Sequence, residues 1–62
     1  MAVEIKSSSR VNESDLRGLK ALKEEGLVKK YYLVSDDPIQ RKIKDIELIH
    51  WKDFLKLIES IL

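Results

Sequence analysis

The sequence predicts an α/β fold: a small three- or four-stranded mixed sheet with two helices, in the order β-α-β-β-α. Three observations predict it. Two strand-like segments, Ala2 to Lys6 and Lys30 to Ser35, flank a helical pattern, which suits a crossover between parallel strands. Two short apolar runs lie on either side of Lys44-Asp45, as in a hairpin. Near the end, Trp51, Phe54, Leu55, Ile58, Ile61 and Leu62 recur at helical spacing. The 62 residues make one domain at most, covering 1–62.

Taken in order, Ala2 to Lys6 alternates, with Val3 and Ile5 on one face of a strand and Glu4 and Lys6 on the other. This strand opens directly after Met1, which predicts that the chain is part of a longer domain. Ser7, Ser8 and Ser9 break it. Asn12 or Ser14 can cap the following helix, because either side chain accepts a backbone N–H of the first turn. Glu13 and Asp15 suit the positive end of the helix dipole, and Lys23 suits the last turn. Leu16, Leu19, Ala21 and Leu22 form its apolar set. Gly26 ends it, since the residue past a helix often needs φ > 0. Leu27 is expected to fold back onto the helix.

Lys30 to Ser35 is aromatic and β-branched, hence a strand. Asp36-Asp37-Pro38 is a turn, because Asp bonds its own backbone and Pro fixes φ. Gln40 to Ile43 and Ile46 to Ile49 read as two short strands or equally as one bulged strand. Trp51 is expected to anchor the last helix in the core, with Lys52, Asp53, Lys56 and Glu59 facing outward.

A chain this short buries only about 60% of the surface its unfolded form exposes, so its stability is modest. There is no cysteine, which excludes disulfides, thiolate metal sites and a cysteine nucleophile. A single histidine, His50, cannot build a multi-histidine zinc site. The net charge is +1 with 37% charged residues, without the strong positive field of a dedicated nucleic-acid binder. No apolar run approaches the roughly 20 residues needed to span a bilayer, and no signal pattern opens the chain. A cytoplasmic protein is expected.

Glu4 and Lys6, two apart on one strand, share a face. A carboxylate beside an ammonium at a strand end can serve phosphodiester hydrolysis, with the acid holding Mg²⁺ and the lysine orienting the attacking water. By spacing alone the plainer reading, a solvated ion pair, outweighs this. Ser7, Ser8 and Arg10 follow the pair and can contact a phosphate, though capping the turn is the plainer role for the serines. Arg17, Lys20, Lys23, Lys29 and Lys30 can extend a basic edge, balanced by Glu13, Asp15, Glu24 and Glu25. Tyr31 and Tyr32 fit core or half-buried positions better than base stacking. His50 has no identifiable partner and is expected at a strand–helix boundary.

The run A-V-E-I-K-S-S-S-R-V-N-E-S-D-L-R-G-L-K-A-L-K-E-E resembles the C-terminal nuclease-like domain of a group of archaeal and bacterial AAA-type ATPases. There an E-x-K-S strand leads into a D-L-x-G-L-x-x-L helix. The likeness continues through Tyr31 to Val34 and through I-x-L-I-H-W-K-D-F-L, with His50 where that group often has proline. The resemblance implies half of a restriction-endonuclease-like, PD-(D/E)xK fold. It makes Glu4 a metal ligand and Lys6 the catalytic lysine, with Lys6, Ser7, Ser8 and Arg10 on the nucleic-acid side. The second metal-holding aspartate of that fold, on a preceding strand, is not in this sequence, and neither is a phosphate-binding loop. The expectation is weak or absent Mg²⁺ binding, no cleavage by the chain alone, and DNA as the associated nucleic acid. The rival expectation is a non-catalytic interaction module: a homo-oligomer formed through an exposed strand edge or an apolar helix face, without a membrane.

Overall fold

A computed structural model describes residues 1–62. The elements are β1 (Ala2–Ile5), a 3-10 turn (Glu13–Leu16) running into α1 (Arg17–Glu24), β2 (Tyr31–Ser35), β3 (Arg41–Ile43), β4 (Ile46–His50) and α2 (Trp51–Ile61). The α/β class and mixed four-stranded sheet match the expectation. The strand order is β1-β2-β4-β3. β1 and β4 both run parallel to β2, and β3 returns antiparallel to β4. The two short runs are therefore separate strands of a hairpin.

Adjacent strand residues point to opposite faces, and the core divides accordingly. On one face Tyr31, Leu33, Ile46 and Leu48 pack with Val11, Leu16 and Leu19 from the α1 side. On the other, Tyr32, Val34 and Ile49 pack with Phe54 of α2, flanked by Leu57 and Ile58. β2 is covered on both faces, and all five of its residues are buried. Such a strand reads as a continuous β-branched and aromatic run rather than as an alternation. Both tyrosines are thus in the core, on opposite sides of the sheet.

Asn12 is the cap of the 3-10 turn. Its Oδ1 accepts from Ser14 N (3.1 Å), while Asp15 Oδ2 accepts from Asn12 N (3.0 Å). Gly26 has φ +70° just past α1, as its position requires. Leu27 does not fold back onto α1 but is exposed.

The apolar stripe of α2 is only partly used. Phe54, Leu57 and Ile58 pack, while Leu55, Ile61 and Leu62 are exposed. The packed residues cover Tyr32, Val34 and Ile49, while Val3 and Ile5 on the same face of the sheet stay largely uncovered. Neither helix is long and apolar enough to cross a membrane.

The hairpin turns at Lys44 (φ 48°) and Asp45 (φ 67°). Two successive positive φ values match the twist of the flanking strands but are unfavourable for side chains other than Asn, Asp or Gly. Lys44→Asn is therefore expected to raise stability by about 0.5 kcal/mol. The readout is a higher urea midpoint at unchanged slope. A lower midpoint would mean that the lysine stem contributes more than the backbone strain removes.

Candidate functional site

Side chains near the carboxyl ends of the parallel strands β1, β2 and β4 lie at one end of the sheet. Glu4 and Lys6 share the α1 face, as expected, with Lys6 Nζ 4.0 Å from Glu4 Oε1. Their side chains are 34% and 40% exposed, and an ion pair so long and so open contributes little. The environment of the carboxylate is more telling. Glu4 Oε2 is buried without a hydrogen-bond partner. The Glu4 carboxylate lies against Gly18 in the first turn of α1, where a Cβ would sit 3.5 Å from Oε1.

The other sequence-predicted residues divide. Lys6 and Ser7 line a cavity of about 190 Å³ together with Ile5, Val34, Asp36 and Trp51. Arg10 lines a different cavity, of about 310 Å³, with Ser9, Asp37 and Arg41. Ser8 closes the loop between them: its Oγ donates to Arg10 O (2.7 Å) and accepts from Arg10 N (3.3 Å). The basic edge is gathered in part, since Lys23, Lys29, Lys30 and Lys42 surround a third cavity of about 380 Å³. There Lys23 is already bound to Asp45 Oδ2 (3.0 Å) and Lys44 O (2.6 Å). That ion pair holds the Asp45 carboxyl below the usual carboxylate range.

No family model matches the chain, and comparisons with curated proteins and with solved structures found no match. The geometry alone therefore has to carry the function. No group of three His, Asp or Glu side chains is placed to hold a metal ion. Glu4 brings one carboxylate, and the residues present do not make a full Mg²⁺ site. Mg²⁺ demands near-octahedral oxygen geometry and gives up its waters reluctantly, and Glu4 offers it a single carboxylate.

One cluster escaped the sequence reading. Parallel pairing sets Ser35 beside His50, and with it Asp36 beside the β4–α2 junction. Trp51 Nε1 donates to Asp36 Oδ1 (3.0 Å), and His50 Nε2 lies 3.4 Å from the same oxygen. His50 Nδ1 accepts the Lys52 N–H (3.1 Å) and caps α2, which places the ring proton on Nε2, toward Asp36. His50 thus has a partner, and it does sit at the strand–helix boundary. Trp51 is not a core anchor. It is 43% exposed, and its bond to Asp36 holds the indole at the surface. Only the strand order brings these residues together; no local spacing signals it.

Asp37 organises the neighbouring loop. It accepts from Val11 N (2.8 Å), Ile39 N (2.9 Å) and Arg41 Nη1 (3.2 Å). The backbone bonds from Val11 and Ile39, and then Arg41, hold its carboxyl below the ordinary range against the opposing effect of burial.

Proposed function

We propose that the chain is the C-terminal half of a PD-(D/E)xK nuclease-like domain, associated with DNA and inactive alone. The observation that carries this reading is the pairing of Glu4 and Lys6 on one face of an edge strand. One acid and one amine are in place, and the side of β1 away from β2 is open for the strand that would bring a second acid. Three further features support it: the parallel β1-α1-β2 unit, the unpartnered Glu4 Oε2 and the loop Ser7 to Arg10 leading off the motif strand. No hydrolytic step is assigned to the chain by itself, because a single carboxylate leaves both metal and water unpositioned.

Paramagnetic broadening by Mn²⁺ in amide NMR tests the half-site. Broadening is expected around Glu4 and Gly18 only at millimolar metal, and Glu4→Gln should abolish it. A Glu47→Gln control should leave it unchanged. Tight binding lost in Glu4→Gln would refute the incompetence of the half-site. Broadening confined to other carboxylates would remove Glu4 from the proposal. A plasmid-nicking assay with Mn²⁺ should show no cleavage by the chain alone.

A further inference from the structure

β1 is an edge strand, and its hydrogen bonds show which backbone groups remain free. Ala2 N donates to Lys30 O (2.8 Å), Lys6 N donates to Val34 O (2.9 Å), and Ser8 O accepts from Asp36 N (3.0 Å). The even-numbered residues thus face β2. By alternation, the N–H and C=O groups of Val3, Ile5 and Ser7 point outward into the open edge. β1 is short and carries Glu4 and Lys6, but it has no proline and no bulge to break pairing. Ile5 and Val3, on the α2 face, are 76% and 38% exposed. Such an edge is a template for another strand.

We infer that this edge pairs with the same edge of a second copy, antiparallel about a two-fold axis through Ile5. The charges of β1 select that register. An axis at Glu4 sets Glu4 opposite the partner's Glu4, and an axis at Lys6 sets lysine opposite lysine; like charges directly opposite destabilise a pair. An axis at Val3 leaves Glu4 opposite the partner's Ala2 and Lys6 without a match. The axis at Ile5 sets Glu4 opposite the partner's Lys6 and Lys6 opposite the partner's Glu4.

The same register fits the backbone. Ile5 and the partner's Ile5 form a hydrogen-bonded pair, as do Val3 and the partner's Ser7. Glu4 and the partner's Lys6 fall in the non-hydrogen-bonded position, where side chains approach more closely. The partner's ammonium meets the Glu4 carboxylate from the side of Oε1, the oxygen that already lies nearest Lys6, while Oε2 stays enclosed within the chain. The two Ile5 side chains meet on the α2 face, beside Trp51. The product is a continuous eight-stranded sheet with isologous contacts.

Sedimentation equilibrium on the full chain tests this. A monomer–dimer equilibrium is expected. Glu4→Lys and Lys6→Glu should each raise the dissociation constant about tenfold, because two attractive pairs become repulsive. The double swap should return it to within about threefold of wild type. Ile5→Lys should be monomeric. A synthetic chain with N-methyl Ile5, which keeps the side chain but lacks the outward donor, should be monomeric too, and it decides the matter if Ile5→Lys fails to fold by circular dichroism. A monomer persisting to about 1 mM overturns the inference, as does a dimer indifferent to both Ile5 changes. Loss in the single variants without recovery in the double swap overturns the register. The Ile5 variants keep the Glu4 carboxylate, so they should lose the dimer while keeping the Mn²⁺ broadening around Glu4. The strand that the nuclease reading lacks would take the same side of β1, so the two compete for that edge; Mn²⁺ broadening tests the one and sedimentation the other.

Discussion

Truncating Leu33 to alanine is expected to unfold a large part of the population at 25 °C. Leu33 is fully buried at the middle of β2, in register with Glu4 on one side and Leu48 on the other. It lies in the cluster that includes Leu16 and Leu19. Removing a buried leucine side chain costs about 2–5 kcal/mol, with the higher values where the surroundings cannot collapse. β2 is held on both sides by strands, so little collapse is available. A chain of this length has a total stability of roughly 3–9 kcal/mol. Urea unfolding followed by circular dichroism should show the midpoint falling toward zero. Leu62→Ala, at an exposed terminal residue, should stay within about 0.5 kcal/mol of wild type. A loss under ~1 kcal/mol for Leu33→Ala would mean that the α1-side cluster is not the core.

Asp37→Ala should be the most damaging change at a polar residue. It strips the acceptor from two backbone N–H groups and from Arg41 at once, in a loop where Asp37 itself is buried. Arg41 Nη2 also bonds Val11 O (2.8 Å), so losing Asp37 loosens the guanidinium that ties β3 to the start of the helical segment. The sign of the pH dependence follows from the direction of the shift. The folded carboxyl titrates below its unfolded value. Its contribution is therefore complete above about pH 4–5 and is lost as pH falls through the depressed folded value. Melting temperature should decline on acidification below about pH 4, and Asp37→Asn should flatten most of that decline. Asp45 shifts in the same direction, but it is exposed and tied to a single lysine, so Asp45→Asn should remove less of the slope. An unchanged acid slope in Asp37→Asn would assign the effect to other carboxylates.

Where the signal was local, the sequence was enough. Gly26 past α1, the Lys44-Asp45 turn, the alternation in β1 and the apolar periodicity of α2 each gave an element within a residue or two of its place. Asn12 was one of two candidate caps, and its bond with Asp15 decides between them. What could not be read is everything set by strand order. Asp36 and His50 belong together only because β4 lies beside β2, with β3 at the far edge. Trp51 looks like a core residue from hydrophobicity alone, yet the indole N–H finds a carboxylate that the sequence places far away. Leu55, Ile61 and Leu62 fit the helical stripe, but only Phe54, Leu57 and Ile58 of it pack on the sheet. For the candidate site, sequence spacing correctly put Glu4 and Lys6 on one face. It could not foresee that Gly18 would lie against the acid or that Arg10 would sit over another cavity.

The strand order also divides the chain by how far each contact must reach. β2, β3, β4 and α2 follow one another without interruption, and every pairing among them closes within residues 31–62. β1 alone must cross the whole of α1 to find Tyr31. Long loops close late, because their entropy is lost before any contact repays it. The hairpin half is therefore expected to assemble first, with β1 docking last. In the monomer the same strand is expected to fray first, its amide protons exchanging ahead of those in β2 and β4, and pairing of two copies should slow that exchange.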